Sequence, residues 1–417
     1  KHKTQKQAIM IKIATNFSSL QEAQDAAEII RKCVHCGFCT ATCPTYQLSG
    51  DELDGPRGRI YLIKELLEEG TNKARATQHL DRCLTCRACE TTCPSGVAYG
   101  ELVEIAREEL GPTRPGVAGL TRLFLQWLIP DHRILRTLSY VGRYFKWLLP
   151  KPLASQVPTQ ISKTLSSQPS QTNHARKILL LQGCAQQVTT GEVNKGLVTL
   201  LDGHGIGVVT TPEEGCCGSL DLHLGDSTKA NAAIRRNVDA LFPFLEGGVG
   251  EGVEGGVEGI ISTASGCGVT VKDYARILAD DPEYADRAHA LSAKTYDISE
   301  YLSQANLPLA AKQPGQAIAW HPPCSLQHGQ KITGVVEGLL ENAGYTLVPV
   351  ADSHLCCGSA GTYSVLQYAR GEALKQLKLG NLLAADPQVI VTANVGCQSH
   401  LATGTSRPVL HWIEMLK

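Results

Sequence analysis

Three features that would indicate particular classes of protein are missing from this chain of 417 residues. Its formal net charge is only −1, so it lacks the basic excess of proteins that follow nucleic-acid phosphates. It has no run of about 18 uninterrupted apolar residues, which argues against a membrane-spanning helix. Residues 1–20 show no apolar segment followed by a small-residue cleavage site, so we expect no secretory signal. We therefore expect a cytoplasmic protein without a nucleic-acid partner.

Cysteine is what the chain has in quantity, with 16 thiols. In an oxidising compartment this number would favour disulfides, but without a secretory signal we expect the thiols to stay reduced. Reduced cysteines that cluster in a sequence indicate metal ligands. The cysteines fall into two groups, a dense one near the N-terminus and a dispersed one in the second half of the chain.

The dense group consists of two copies of the pattern C-x-x-C-x-x-C-x-x-x-C-P. Its cysteines are Cys33, Cys36, Cys39 and Cys43 in the first copy, and Cys83, Cys86, Cys89 and Cys93 in the second. This spacing is typical of [4Fe–4S] ligation, and where it occurs twice the fourth cysteine usually ligates the other cluster. Zinc is the alternative, but structural zinc sites usually use pairs of C-x-x-C rather than triplets with a trailing C-P.

The spacing therefore predicts two [4Fe–4S] clusters with exchanged fourth ligands. We assign one cluster to Cys33, Cys36, Cys39 and Cys93, and the other to Cys83, Cys86, Cys89 and Cys43. His35 lies inside the first motif, where it is either a ligand or an exposed spacer; we favour the spacer.

The dispersed cysteines reveal an internal duplication. In each copy a single cysteine is followed after 31 residues by Cys-Cys-Gly-Ser and later by Gly-Cys. The cysteines are Cys184, Cys216, Cys217 and Cys267 in the first copy, and Cys324, Cys356, Cys357 and Cys397 in the second. A glycine-rich run at 247–259 accounts for the longer last gap of the first copy, and its glutamates argue against a phosphate-binding loop.

Short apolar runs alternate with helical patterns throughout this duplicated part, which favours α/β layers on parallel sheets. The runs lie at 178–181, 208–209, 260–261, 318–320, 347–350 and 389–391. Because the dispersed cysteines follow such runs, we expect them at the carboxyl ends of the strands, where both copies would face a shared crevice. A vicinal disulfide, simple packing and cluster ligation all remain open for these cysteines, and we favour a site.

The whole chain is expected to comprise a mainly helical, ferredoxin-like two-cluster domain followed by duplicated α/β domains. The boundaries we predict are 1–115 for the cluster domain, 116–176 for a basic aromatic segment and linker, 177–310 for the first repeat and 311–417 for the second. Within the linker region, residues 121–149 combine aromatic and basic side chains, which indicates an amphipathic element. Either an anionic membrane surface or a protein interface would suit it, and we slightly favour the interface.

Longer strings of sequence add a resemblance to a known family, the iron–sulfur subunits of bacterial glycolate oxidase. The strings are 33–47, 50–62, 79–87, 352–363 and 391–397. The second half also resembles the cysteine-rich CCG domains of heterodisulfide reductases, anaerobic glycerol-3-phosphate dehydrogenase and lactate-utilisation proteins. Those domains often end in C-x-x-C, whereas Cys267 and Cys397 here have no second cysteine, so the resemblance leaves open whether the repeats hold further clusters.

The resemblance implies an electron-transfer subunit of a glycolate dehydrogenase. A separate FAD-binding subunit would oxidise glycolate to glyoxylate, and this chain would pass the electrons towards a quinone-type acceptor, with FAD only in the partner. Contact with the cytoplasmic face of the membrane would then be peripheral. The alternatives are the equivalent subunit of a lactate or glycerol-3-phosphate dehydrogenase, or a non-enzymatic iron–sulfur scaffold or sensor.

Overall fold

The structure of the chain is a computed structural model that describes residues 11, 13–14, 17, 19–158, 161–162, 170, 174–247 and 256–417. The chain divides into two compact units. The first comprises Lys1–Thr113 with Leu222–Asp226, and the second comprises Arg114–Asp221 with Ser227–Lys417. Most of the predicted glycine-rich insertion and much of the predicted linker lie outside the described residues.

The described elements of the first unit are helices. They are α1 (Leu20–Arg31), α2 (Phe38–Ala41), α3 (Pro44–Ser49), a 3-10 turn (Glu52–Asp54), α4 (Pro56–Glu69), α5 (Lys73–Asp81), α6 (Ala88–Thr91) and α7 (Tyr99–Leu110). Helix α4 starts with Pro56, whose fixed φ suits the first turn, and ends at Gly70 in a left-handed conformation. Its predicted apolar stripe, from Ile60 to Leu67, is buried against α1 and α5.

The second unit begins with a helical segment and continues with two α/β repeats. The segment contains α8 (Gly116–Leu128), α9 (His132–Tyr144), a 3-10 turn (Lys146–Leu148) and α10 (Lys151–Ala154). The first repeat contains β1 (Arg176–Leu180), α11 (Gln186–Thr189), α12 (Gly191–Gly203), β2 (Ile206–Val209), α13 (Ser219–His223), α14 (Ser227–Leu245), β3 (Ile260–Ser262), α15 (Ser265–Lys272), α16 (Tyr274–Ile277), α17 (Ala285–Ala293), β4 (Thr295–Asp297) and α18 (Ile298–Ala305).

The second repeat follows the same plan. It contains β5 (Ala317–His321), a π-helical turn (Ser325–Gly329), α19 (Val335–Ala343), β6 (Thr346–Leu347), α20 (Tyr363–Leu366), α21 (Tyr368–Leu383), β7 (Val389–Thr392), α22 (Val395–Ala402), β8 (Val409–His411) and a 3-10 turn (Trp412–Met415). None of the helices in the described part of the chain has the length and hydropathy needed to span a bilayer.

Both sheets are parallel and have the same strand order, β2-β1-β3-β4 and β6-β5-β7-β8. Such an order places a change of connection direction between β1 and β3, and again between β5 and β7, where the carboxyl ends of α/β sheets form binding sites. One apolar core includes residues of both sheets, among them Ile178, Val208, Trp320 and Val391. The predicted duplication is therefore a duplication of structure as well as of cysteine spacing.

The six predicted strands are all present, although β6 has only two residues instead of the four expected. Two further strands, β4 and β8, were missed. Each has three residues, and each ends in a polar residue, Asp297 or His411, that caps the helical turn which follows. A strand so short, with a polar end, lacks the apolar run from which a strand is predicted.

Candidate metal centres

The first cavity of the N-terminal unit is lined by the cysteines that we assigned to one cluster. Its empty space is about 450 Å³, some of it open to solvent, and Cys33, Cys36, Cys39 and Cys93 all line it. Cys89 borders it as well. Cys36 is exposed to solvent and the other three assigned cysteines are half-buried, so this cavity lies at the protein surface.

The second cavity, with about 290 Å³ of empty space, is lined by Cys43, Cys83, Cys86 and Cys89. Three of these cysteines are buried, and Cys86 is half-buried. Thus Cys43 accompanies the triplet of the second motif, while Cys93 accompanies the triplet of the first. The exchanged grouping has the donor chemistry that two [4Fe–4S] clusters require, namely four thiolates around each space.

Matching backbone turns shape the two motifs. His35 and Thr85 occupy equivalent positions and both have positive φ, 54° and 51°; Gly37 and Arg87 are a second such pair, at 83° and 58°. Positive φ is costly for residues other than glycine and persists where the surroundings demand it. The side chain of His35 is exposed, and its carbonyl accepts a hydrogen bond from Arg57 at 3.4 Å. His35 therefore acts through its backbone.

Two buried arginines act on the second cavity: Arg59 lines it, and Arg107 contacts the backbone of Cys83, which also lines it. Arg59 donates from Nε to the His79 carbonyl at 2.8 Å and from both terminal nitrogens to Thr45 Oγ1 at 3.1 Å. Arg107 donates from Nη2 to the carbonyls of Leu80 and Cys83, each at 2.8 Å. Since both side chains are fully enclosed, their charges act on the cavity with little screening by water.

These charges affect the thiols of the cavity unequally. Burial by itself would raise the pKa of Cys83, but the guanidinium groups of Arg59 and Arg107 hold it below its ordinary value. Burial raises the pKa of Cys89 well above its usual range. In the first cavity, burial and the neighbouring Cys33 raise the pKa of Cys39 to about 11. Cysteine thiols such as these lose their protons when they bind a metal centre.

In the first repeat the four dispersed cysteines meet at the carboxyl end of the sheet. Cys184 follows β1 and Cys267 lies in the first turn of α15, while the Cys216–Cys217 pair lies in the loop after β2. Asn237 donates to the Cys216 carbonyl at 2.9 Å, and Tyr274 donates to the Cys217 carbonyl at 2.9 Å. These bonds hold the paired cysteines in place by their backbone.

The thiols of this first quartet contact one another. Hydrogen bonds from Cys184 and Cys217 lower the pKa of Cys216 well below its ordinary value. The same bonds, together with burial, raise the pKa values of Cys184 and Cys217. Cys216 consequently ionises more readily than Cys184 and Cys217.

The second repeat has the same arrangement with two additional basic side chains. Cys357 and Cys397 lie with their sulfur atoms 3.3 Å apart, and Cys324 hydrogen-bonds with Cys356. His321, the last residue of β5, is fully buried, and one of its ring nitrogens lies within 4.8 Å of the sulfurs of Cys357 and Cys397.

Lys378, from α21, supplies the second basic group near the quartet. Its ammonium group donates to the carbonyls of Asp352 and Ser353, both at 2.9 Å. Burial lowers the pKa of Lys378, while the thiols of all four cysteines of this repeat act in the opposite direction. Burial, assisted by Lys378, lowers the pKa of His321 well below its ordinary value.

All 16 cysteines, every one of them among the described residues, are free thiols. A vicinal disulfide at Cys216–Cys217 or Cys356–Cys357 is therefore not what the structure contains.

Hydrogen bonds join the cysteine-bearing loops of the two repeats. The backbone nitrogen of Ser265 donates to the Ala393 carbonyl at 3.1 Å, and the Ser265 and Ser325 hydroxyls lie 2.8 Å apart. His411 reaches across from the second repeat and donates from Nε2 to the Thr263 carbonyl at 2.8 Å. The carboxyl ends of both sheets thus meet, as the strand order and the position of the cysteines had led us to expect.

The basic residues of these sites were not predicted from the sequence. Arg59, Arg107 and Lys378 lie within helices, and nothing in their local sequence distinguishes them from solvated charges. His321 carried a signal that we overlooked, because it stands three residues before Cys324 in an H-x-x-C spacing that suits metal ligation.

Two family models match the chain. The model described as a 4Fe-4S dicluster domain matches residues 29–97, and the model described as a cysteine-rich domain, or CCG, matches twice, at 178–272 and 318–402. The chain therefore has a dicluster domain followed by two cysteine-rich α/β domains.

Two known proteins are similar to this chain over nearly its whole length, and a third is similar over little more than half of it. The glycolate oxidase iron-sulfur subunit of Escherichia coli (strain K12) is 45% identical over 397 residues, which is 95% of each chain. The probable glycolate oxidase iron-sulfur subunit of Bacillus subtilis (strain 168) is 29% identical over 94% of this chain and 92% of its own. Lactate utilization protein A of Geobacillus kaustophilus (strain HTA426) is 27% identical over 58% of this chain and 98% of its own.

A solved structure shares the fold at low sequence identity. The crystal structure of a hypothetical protein from Helicobacter pylori superposes with a TM-score of 0.52 at 10% identity, and the match covers 95% of this chain and 72% of that one.

Identity over nearly the full length, the dicluster domain and the duplicated cysteine-rich domain lead to one conclusion. The chain belongs to the family of glycolate oxidase iron–sulfur subunits, and its function is iron–sulfur electron transfer.

Proposed function

We propose that this chain carries electrons from an FAD-bearing partner, which oxidises glycolate to glyoxylate, towards a quinone-type acceptor. The observation that supports this most directly is the pair of cysteine-lined cavities in a chain whose relatives are named as glycolate oxidase iron–sulfur subunits. When bound, a [4Fe–4S] cluster supplies a one-electron carrier. We assign catalysis at the flavin to the partner and none to residues of this chain.

The ligands in this proposal are the eight N-terminal cysteines in the exchanged arrangement. Cys33, Cys36, Cys39 and Cys93 would hold the cluster nearer the surface, and Cys43, Cys83, Cys86 and Cys89 the more enclosed one. Arg59 and Arg107 would offset the negative charge of the thiolates at the enclosed site. The domain containing them would be a mainly helical, ferredoxin-like unit comprising residues 1–115.

The ligand assignment can be tested by iron analysis and spectroscopy. Anaerobically prepared protein should contain about eight iron atoms per chain from these two sites. Cys93→Ser should alter the electron paramagnetic resonance signal of the surface cluster, and Cys43→Ser that of the enclosed one. Signals that change in the opposite pairing would overturn the exchange of ligands, and zinc in place of iron would overturn the clusters themselves.

The electron path can be tested with the assembled complex. Co-purified subunits should reduce a quinone analogue when glycolate is added, and this chain by itself should not oxidise glycolate. Because lactate utilization protein A is among the relatives, D-lactate, L-lactate and glycerol 3-phosphate belong in the same assay as the competing substrates. If the complex prefers one of these substrates, the chain is the subunit of the corresponding dehydrogenase instead. If the chain forms no such complex, the result favours an iron–sulfur scaffold or sensor.

We further propose, against the slight preference for a protein interface that we drew from the sequence, that α8, α9 and the 3-10 turn after them contact an anionic bilayer surface, where a quinone is found. Large apolar side chains in this segment are exposed, including Trp127 at 55%, Tyr144 at 80% and Trp147 at 79%. Exposed Arg133, Arg143 and Lys146 lie among them. Aromatic and basic side chains together favour the interfacial region of anionic membranes.

Vesicle flotation tests this surface. The protein should float with vesicles containing phosphatidylglycerol and much less with neutral vesicles, and Trp127→Ser with Trp147→Ser should abolish flotation. Leu377→Ser, which removes an apolar side chain exposed elsewhere (47%), should have no effect. Absence of binding to anionic vesicles, with the same surface protected in the assembled complex, would assign it to a protein interface instead.

A further inference from the structure

One tyrosine borders both cysteine-lined cavities of the first unit. Tyr99, the first residue of α7, lines the surface cavity and also the enclosed one, as Pro56 and Cys89 do. Its side chain is buried, with an exposed fraction of 4%. A single phenol ring is therefore shared by the two candidate cluster sites.

The hydroxyl group of Tyr99 acts on one of the two sites. It donates a hydrogen bond to Cys83 Sγ at 3.8 Å, and Cys83 lines the enclosed cavity. The backbone nitrogen of Thr85 donates to the same sulfur at 3.4 Å. A buried tyrosine hydroxyl requires a hydrogen-bond partner, and an ionised acceptor forms a stronger bond than a neutral one. The bond from Tyr99 therefore strengthens when Cys83 becomes a thiolate ligand.

Buried positive charges act on the enclosed site in the same direction. Backbone carbonyls hold the guanidinium groups of Arg59 and Arg107 in place. The buried carboxylate of Asp54 offsets one positive charge, but Arg82 lies 3.3 Å from this carboxylate and supplies another. Positive charge therefore stays in excess around the enclosed cavity.

The surface cavity has a weaker electrostatic environment. Arg57 borders it, but this side chain is 40% exposed and paired with Glu52 at 2.7 Å. Cys36 is exposed to solvent. Because water and the ion pair both screen the charge of Arg57, it stabilises an added electron less than an enclosed arginine does.

Two effects oppose each other at the enclosed site. Burial makes an added electron more costly there than at the surface, since a charge loses hydration in a medium of low dielectric constant. Hydrogen bonds to the sulfurs and nearby cations stabilise the added charge, and the same low dielectric constant strengthens them. Two enclosed guanidinium groups and one hydroxyl face a single added electron, so the balance favours reduction.

We propose that Tyr99 is a positioning residue that raises the reduction potential of the enclosed cluster through its hydrogen bond to Cys83, so that this cluster takes electrons from the surface cluster. The inference rests on the two-cluster function proposed above. One electron moves at a time: the reduced flavin of the partner reduces the surface cluster, which then reduces the enclosed one, and the quinone-type acceptor oxidises the latter. No bond forms or breaks between the clusters, and Tyr99 keeps its proton.

Two replacements of Tyr99 in the full-length chain test the hydrogen bond. Tyr99→Phe keeps the ring and removes the hydroxyl. It should lower the equilibrium constant for one-electron reduction of the enclosed cluster about fivefold, the effect of a typical hydrogen bond, which corresponds to about 40 mV. The surface cluster should be unaffected. Incorporation of 3-fluorotyrosine at position 99 strengthens the donor and should shift the enclosed cluster in the opposite direction.

Tyr61→Phe is the matched control. Tyr61 lies on α4 of the same unit, is 60% exposed and borders neither cavity. Removal of its hydroxyl should leave both potentials unchanged. A shift as large as that of Tyr99→Phe would show that the effect does not depend on the bond to Cys83, and would overturn the inference.

The measurement is a redox titration followed by electron paramagnetic resonance, with the two signals assigned through Cys93→Ser and Cys43→Ser. In the wild type, the first electron added per chain should reside on the enclosed cluster. Reduction of the surface cluster first would overturn the direction of transfer. If Tyr99→Phe changes thermal stability but not the potential, Tyr99 has a packing role only, and the inference is likewise overturned.

Iron content of the same samples separates this inference from the proposed function. A wild-type chain with about eight iron atoms whose potentials fail these tests refutes the role of Tyr99 alone. A wild-type chain without iron refutes the two clusters, and the role of Tyr99 with them. If Tyr99→Phe itself does not retain iron, the sign of the shift with 3-fluorotyrosine decides: a higher potential of the enclosed cluster supports the inference, and an unchanged one overturns it.

Discussion

A single buried arginine should adjust the reduction potential of the enclosed cluster. Arg107 lies with its guanidinium against the backbone of Cys83 and is fully enclosed. Replacing it with methionine removes a positive charge that favours the reduced, more negative cluster. At an effective dielectric constant of about 20, this loss should lower the potential by on the order of 50–100 mV.

An electron paramagnetic resonance titration of Arg107→Met would measure this shift. Arg57→Met is the matched control, because Arg57 borders the other cavity, but its side chain is 40% exposed and paired with Glu52 at 2.7 Å. Water screens its charge, so we expect a much smaller shift of the surface cluster. Equal shifts in the two variants would show that burial does not govern the effect.

A second residue, His411, should make the second unit sensitive to acid. Its Nε2 donates to the Thr263 carbonyl, and its Nδ1 accepts from the Ile413 nitrogen at 3.2 Å, a bond that requires the neutral ring. Burial lowers the pKa of His411 from 6.5 to about 4. Between these values the unfolded chain binds the additional proton, so the free energy of unfolding falls as the pH falls from 6.5 to 4.

Neutral His411 contributes its full stabilisation above pH 6.5. From this pKa shift, we expect the free energy of unfolding to be lower by roughly 3 kcal/mol near pH 4. His411→Gln removes the titration. Urea unfolding of both proteins between pH 7 and 4.5 should give a shallower loss of stability for the variant. Parallel pH profiles would contradict the assignment, because other buried histidines contribute equally to both proteins.

At the scale of elements, the turn after each cysteine pair depends on glycine. Gly218 and Gly358 both have positive φ, 87° and 86°, and a Cβ at Gly358 would lie 2.6 Å from the Gly371 carbonyl in α21. This close approach lets the loop that carries Cys356 and Cys357 rest on the helix. The Cys-Cys-Gly sequence is thus a packing requirement as well as a ligand motif.

Gly358→Ala should destabilise the second unit by about 2–4 kcal/mol, through the left-handed backbone and the clash with the helix. Gly361→Ala is the control, since its φ is also positive at 62° but nothing lies within 4 Å of the added carbon. We expect it to cost about 1 kcal/mol. Denaturant unfolding measures the stability of both variants. Equal losses of stability would mean that backbone strain alone, without the clash with the helix, accounts for the need for glycine at position 358.

At the scale of the whole molecule, the two units should respond differently to loss of iron. The helices of the first unit surround both cysteine-lined cavities, so ligation closes its loops, whereas the second unit has its own apolar core. An iron-selective chelator should therefore remove amide-exchange protection from α1, α4 and α7 and leave β1 and β5 protected. Mass spectrometry of hydrogen exchange would show this, and simultaneous loss in both units would contradict it.

The sequence alone determined the family, the cofactor type and the duplication, because ligand spacing is a local property. The triplets around Cys36 and Cys86 identify iron–sulfur chemistry by their intervals, and the equal spacings after Cys184 and Cys324 reveal the repeat. Apolar runs likewise located six of the eight strands, because a buried parallel strand must be apolar along its length. The exceptions, β4 and β8, each end in a polar residue, Asp297 or His411, which caps the following turn and interrupts the apolar run.

Tertiary structure decided what depends on residues distant in sequence. Only folding encloses Arg59 and Arg107 beside Cys83, and only there do their charges escape screening by water and lower the pKa of the thiol. His321 is an ordinary strand residue until β5, the Cys357 loop and α22 bring its unpaired ring to two sulfurs. Spacing along the chain specifies which atoms can bind metal, whereas burial and proximity decide how strongly they do so.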